Sequence, residues 1–222
     1  MHIDGFLLQI LYGTVITLKL AICALTLGMV VGLMGALLES IPIVSLRYVA
    51  ASFIFIIRGL PEILVLFFIY FGLTAILTHL FKHYVNISAF VAGVIALGLI
   101  FGSYASQVFR GAFLAIDRGQ TDAGRAVGLS SAQIFMRIQL PQAWRHAIPG
   151  LGNLWLVLLK DTAIVTLIGL ADMMSQAKIA ASTTHQPFTY YLIAAFIYLA
   201  ITSLSQRIIQ FFSLRSNRYL HS

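Results

Sequence analysis

Two acids and two lysines stand where a bilayer-like sequence least tolerates charge: Glu62 at the start of one apolar stretch, Lys160 and Asp161 inside another, and Lys19 inside the first. A charge at the bilayer centre costs roughly 2.5–3.5 kcal/mol even on the gentler insertion scales, so each group needs a partner or a water-filled path. Lys160 and Asp161 are consecutive and therefore point about 100° apart on a helix, so they need not pair with each other. For Asp161 two roles stay open. It is an anchor between helices, or it lines a translocation path, where a carboxylate suits a cationic substrate by charge complementarity. Glu62 follows Pro61; with Pro61 at the first helical position it sits in the first turn, where the helix dipole favours an anion. Its alternative is a second carboxylate in the same path. Lys19 either snorkels to the membrane surface or meets a buried acid.

No constellation for covalent or acid–base catalysis accompanies these charges, and there is no phosphate-binding loop, so the chain is not expected to be an enzyme or to hydrolyse ATP. His79 and His83 are four apart, but no further ligand lies near, and no metal is expected. Cys23 is the single cysteine and forms neither an internal disulfide nor a redox pair.

The other chemically informative stretch is Gly119–Pro141, GQTDAGRAVGLSSAQIFMRIQLP, a polar and arginine-rich run between long apolar segments. Thr121-Asp122 is expected to cap a helix continuing through Ala123–Val127. Gly128 is expected to stop it in a left-handed conformation. Ser130 or Ser131 then caps a second helix, Ala132–Leu140, which Pro141 follows. The expected product is a helix–glycine–helix hairpin on the membrane surface.

The elements that must position these groups follow from composition. The 222 residues are 60% hydrophobic and 9% charged, against about 25% charged in soluble domains, and the mean hydropathy is +0.95. This is an all-α polytopic membrane protein. A span needs about 20 apolar residues. Five are expected, near Phe6–Leu38, Leu60–Leu80, Ala89–Phe109, Ala147–Ala171 and Tyr190–Phe212, placing Lys160 and Asp161 mid-span. Tyr48–Ile57 is too short to span and reads as an interfacial helix. His79–Ser88 and Asp172–Pro187 read as polar connections. Gly28, Gly32 and Gly35, and Gly93, Gly98 and Gly102, have the spacing that lets helices pack closely. Trp144 reads as an interface anchor. Without repeat or linker, residues 1–222 form one domain, with a cytoplasmic loop at about 110–146. No Lys or Arg precedes Lys19, so no cleavable signal peptide is expected.

Five spans put the termini on opposite sides. One side collects Arg47, Arg58, Arg110, Arg118, Arg125, Arg137, Arg145, Arg207, Arg215 and Arg218; the other has only Lys82 and Lys178 as loop cations. Positive charge concentrates in cytoplasmic loops. The N-terminus is therefore expected outside, and the Gly119–Pro141 loop and the basic tail Ser213–Ser222 inside. The net charge of +7 reflects this bias rather than nucleic-acid binding, for which no motif is present.

Asp122-Ala123-Gly124, three residues, Gly128, nine residues, Ile138, one residue, Leu140-Pro141 resembles the EAA loop of ABC importer permeases, E-A-A-x3-G-x9-I-x-L-P, with Asp122 for the Glu and Gly124 for the second Ala. Arg58-Gly59-Leu60-Pro61 resembles the RGxP entry to the second span in the polar amino-acid uptake group of that family. Arg110-Gly111-Ala112 and Gly119-Gln120 resemble its run into the EAA loop, and Leu159-Lys160-Asp161-Thr162 its L-K-D-T signature. More narrowly, Arg58–Gly72, Trp144–Ala163 and His185–Gln206 are similar to the Q-type arginine-uptake permeases.

The resemblance implies a type I ABC importer permease fold in a bacterial inner membrane, with import of arginine or another basic amino acid by alternating access. It implies a cytoplasmic ABC ATPase dimer, which binds ATP and magnesium, a second permease subunit (a related chain or a copy of this one) and a separate amino-acid-binding protein. This chain itself needs no cofactor. Gln120, Asp122, Ala123, Gly124, Gly128, Ile138, Leu140 and Pro141 are implied as the ATPase-coupling residues, and Arg58, Gly59 and Pro61 as a structural signature. The substrate path is expected at Glu62, Asp161, Lys160 and Thr162. The family usually has an uncharged residue after this proline, so Glu62 points to a basic substrate. The alternative is a secondary active transporter using the intramembrane acids for ion coupling; five spans without a repeat argue against it.

Overall fold

The computed structural model describes residues 3–217, and side chains from Gly5 to Leu214. Arg218 and the end of the basic tail lie outside the described residues, as does the Arg215 side chain. Among the described residues the chain is helical throughout its ordered elements. Helix α1 spans Ile3–Ser40 and α2 Val44–Gly59. Helix α3 is the span Glu62–Phe81, with a π-helical turn at Phe68–Gly72. Helix α4 is Ala89–Leu114 and α5 Arg118–Ala126. Helix α6, Ser131–Ile168, runs unbroken for 38 residues. Helix α7 is Met173–Thr184 and α8 Pro187–Asn217. Helices α1, α3, α4, α6 and α8 are each long and apolar enough to cross a bilayer, so the five expected spans are present.

Helices α1 and α4 run parallel and form the centre of the bundle, Gly28 meeting Gly98, Gly32 meeting Gly102 and Glu39 meeting Arg110. Lipid tails are as apolar as leucine, so their association depends on close packing rather than on water exclusion. The glycines supply that closeness. A Cβ on Gly28 would lie 2.6 Å from the Phe101 ring and 2.9 Å from the Gly98 carbonyl oxygen, and one on Gly102 would lie 2.7 Å from Val31. At the end of this pair, buried Glu39 of α1 accepts from Arg110 Nη1 (3.0 Å) and Gln107 Nε2 (3.2 Å) of α4. Helix α6 packs on α4 and also touches α1, and α8 packs on α6 and α7.

Several expectations are corrected here. Val44–Gly59 is longer at both ends than the expected interfacial segment; it lies against the ends of α1 and α4 and buries only Ala50 and Ile54. Asp172–Pro187 is not a polar connection. It is mostly the helix α7, whose Met173, Ala177, Ala180 and Ala181 pack against Phe6, Ile10 and Tyr190. The fully buried Asp172 caps it: Oδ1 accepts from the Ser175 N–H (3.0 Å) and from Thr166 Oγ1 (2.6 Å), while the Met173 N–H donates to Thr17 Oγ1 (3.1 Å) on α1. A Cβ on Gly13 would meet the Asp172 carbonyl oxygen at 2.7 Å, so glycine is what admits this turn against α1. Lys19 is exposed on α1, with no acid within ion-pair distance among the described residues.

Candidate functional site: an acidic cleft and the hairpin joined to it

Helices α3, α4 and α6 enclose a cleft of about 160 Å³. Its walls are apolar: Leu97, Ile100 and Phe101 from α4, Leu154, Val157 and Leu158 from α6. Three polar groups enter it, Glu62 from the first turn of α3, Asp161 from α6 and the Tyr104 ring from α4. Each position has a local cause. Pro61, at the N-cap with φ −56° rather than at the first helical position, ends the extended Leu60-Pro61 link and starts α3 with Glu62. Asp161 is the last residue of the α-helical part of α6. Beyond it the helix tightens to a 3-10 segment, Thr162–Ile168, that ends at Gly169 with φ +90°.

Asp161 therefore lies at a change of helical pitch rather than in the middle of a uniform span. Thr162 is fully buried, and its hydroxyl donates to the Leu159 carbonyl (2.7 Å). Of the four residues expected in the substrate path, the fold brings Glu62 and Asp161 to one cleft. It does not bring Lys160 or Thr162. Lys160 points to a separate groove with Tyr191 and Tyr198 of α8, as the angle between consecutive helical residues requires.

Tyr104 was not singled out by the sequence, because a tyrosine in an apolar span carries no pattern of its own. Beside it lies a member of the RGxP stretch. The Arg58 guanidinium carbon at the end of α2 sits 5.1 Å from the centre of the Tyr104 ring. Gly59 meets nothing within 4 Å of a built Cβ.

The hairpin lies at the other functional end. Its first helix begins earlier than expected. Asp117, not Thr121-Asp122, is the cap, accepting from the Gly119 N–H at 2.6 Å. Asp122 is one turn inside, exposed, and pairs with Arg125 at 3.3 Å. Gln120 and Ala123 are also exposed. Gly128 has φ +80°, the expected left-handed stop, with the Leu129 N–H returning to the Gly124 carbonyl (3.0 Å). Ser130 then caps α6 in a reciprocal capping box with Gln133.

Pro141 does not end this helix. Proline has no N–H to give to the preceding turn. The chain absorbs that in a π-helical turn, Phe135–Gln139, and continues from Leu140 through Pro141 into the membrane. The two arms close on Gly124, where a Cβ would stand 3.0 Å from Ile134 and 3.0 Å from Ile138. Gln139 Nε2 donates to Thr121 Oγ1 (3.1 Å), and Phe113 of α4 stacks on Phe135 at 5.9 Å. Val127 and Met136 are apolar yet 76% and 62% exposed on this polar hairpin. The sequence pattern did not mark them.

Hairpin and cleft are thus parts of the same helices. Helix α6 carries Ser131 at one end and Asp161 thirty residues on, and α4 carries Phe113 and Tyr104.

Residues 24–218 match the family of binding-protein-dependent transport system inner membrane components. The chain belongs to this family. It is 48% identical over 216 residues to the arginine ABC transporter permease protein ArtQ of Haemophilus influenzae, covering 97% of each chain. It is 37% identical over 222 residues to the octopine transport system permease protein OccQ of Rhizobium radiobacter, covering 98% of this chain and 94% of that one. A solved amino acid ABC transporter with histidines has a chain that superposes with TM-score 0.85 at 36% identity, covering 96% of both. The chain is therefore a multi-pass ABC importer permease, a transport component and not an enzyme. The secondary-transporter alternative finds no support in these relationships.

Proposed function

We propose that this permease imports arginine or another basic amino acid across a bacterial inner membrane. The acidic cleft carries the reading: two carboxylates, Glu62 and Asp161, face one apolar cavity. A cation entering it exchanges water for charged acceptors, in surroundings where a charge is otherwise costly. The kinship to arginine and octopine permeases supports the same substrate class. The excess of arginine at the hairpin end supports a cytoplasmic hairpin and an outside N-terminus.

In this reading residues 1–222 act as one domain. The hairpin around Asp117–Leu140 docks on a cytoplasmic ATPase subunit through its exposed face, with Gln120, Asp122, Ala123, Val127 and Met136 outward. Gly124, Gly128, Ile138, Leu140 and Pro141 shape it. Two ATPase subunits, a second permease and a binding protein complete the importer. Closure of the ATPase pair moves the hairpin. Because α6 is continuous, that movement shifts Asp161 relative to Glu62, and so opens and closes the acidic pair in step with the nucleotide cycle.

The test is arginine uptake by the complete complex reconstituted with Glu62→Gln and, separately, Asp161→Asn. Removing a charge-assisted contact costs roughly 1.5–3 kcal/mol, about ten- to a hundredfold in affinity. At least one variant should show that loss with assembly intact. Normal arginine transport by both, or failure of both to assemble, assigns the acids no role in the path.

A further inference from the structure

The cleft has two carboxylates, but its lining includes no cation. An amino acid of any side chain also carries an α-carboxylate, and that anion needs a partner once water is stripped away. A cation stands beside one of the lining residues. Arg58 lies with its guanidinium 5.1 Å from the ring of Tyr104, and the same ring lines the cleft. Arg58 is exposed and has no carboxylate within ion-pair distance among the described residues. A guanidinium steadied by an aromatic face keeps its N–H edge available, and that edge matches a carboxylate in bidentate geometry.

We propose that Arg58 receives the α-carboxylate of the amino acid whose cationic groups lie at Glu62 and Asp161. The proposal rests on the reading of this cleft as the site for a basic amino acid. The charges then close. Two acids and Arg58 sum to −1, and a basic amino acid with ammonium, cationic side chain and carboxylate sums to +1. Arg58 thus distinguishes an amino acid from a simple diamine or guanidine, a selection the two acids alone cannot make. The fixed signature before α3 has a use beyond starting that helix: it carries the third recognition group to the cleft.

The experiment is equilibrium binding of radiolabelled arginine to the purified complex of permeases and ATPase subunits, with the binding protein omitted so that its selectivity does not enter. Unlabelled arginine and agmatine, which is arginine with hydrogen in place of the carboxylate, serve as competitors. The unmodified complex should prefer arginine by about ten- to a hundredfold, the size of a charge-assisted contact. This measurement needs no variant, and equal affinities overturn the proposal. In Arg58→Gln, arginine should fall to the agmatine level while agmatine itself is unchanged. A parallel loss for both ligands overturns the proposal in favour of support through Tyr104, and an unaltered ratio overturns it outright. Arg58→Lys, which keeps the charge and loses the fork, should lower the ratio severalfold; an unchanged ratio overturns the bidentate contact. The underlying reading fails separately: in that case Glu62→Gln and Asp161→Asn leave the binding of both ligands untouched.

Discussion

Gly128 offers the sharpest test of how the hairpin couples, because its surroundings separate two causes that usually act together. Its φ is +80°, yet a built Cβ meets nothing within 4 Å. A side chain there is not obstructed within the chain; it is strained only by the left-handed backbone. For an ordinary L-residue that strain is roughly 1–2 kcal/mol, or about a 5- to 30-fold loss of the bent hairpin relative to alternatives. Asparagine adopts this conformation more readily than alanine. Conformational strain therefore ranks transport as Gly128, then Gly128→Asn, then Gly128→Ala. A steric clash with a docked ATPase subunit ranks the two variants the other way, because asparagine is larger. The assay is arginine uptake and ATP hydrolysis in proteoliposomes of the complete complex, with membrane insertion and ATPase co-purification checked for each variant. Gly128→Ala should retain insertion while uptake falls by about 5- to 30-fold. Gly128→Asp shares the conformational tolerance of asparagine, so its excess loss over Gly128→Asn measures charge at the docking face. Uptake by Gly128→Ala within twofold of the unmodified complex, or Asn falling below Ala, refutes the strain argument.

Two further outcomes are expected. Cysteines at exposed Ser182 and Ser131, in a Cys23→Ala background, should differ toward an impermeant thiol reagent: Ser182→Cys should label in intact cells with a permeable outer layer, and Ser131→Cys only after lysis. The opposite pattern rejects the orientation. Burial pushes the Asp172 carboxyl above its ordinary value, against hydrogen bonds from Thr166 and Ser175 that pull it down. A group raised on folding stabilises most fully below its unfolded value and loses that contribution as pH rises through the folded value. Thermal stability of the purified complex should therefore decline as pH rises above the ordinary carboxylate value, and Asp172→Asn should flatten that decline. An unaltered pH profile in Asp172→Asn removes Asp172 as its source.

The five spans, the arginine-rich end and the left-handed stop at Gly128 are written locally in the chain. Bilayer thickness sets span length, insertion sorts arginine by side, and a left-handed backbone calls for glycine wherever it occurs. Other features needed contacts between distant segments. Whether Lys160 or Asp161 enters the cleft depends on which face of α6 meets α4, and two neighbours 100° apart cannot both do so. Glu62 meets Asp161 across ninety-eight intervening residues only because α3 and α6 flank α4. Tyr104 and Arg58 acquire meaning only beside each other. The course of the chain at Pro141 also escaped local reading. Proline forbids one hydrogen bond but does not dictate a break, and the packing of Phe135 on Phe113 and of Ile138 against Gly124 accompanies a π-helical turn that carries the helix onward. Lipid and backbone chemistry act residue by residue and leave their mark in composition. The cleft is a property of which helix faces meet, and that is decided by packing alone.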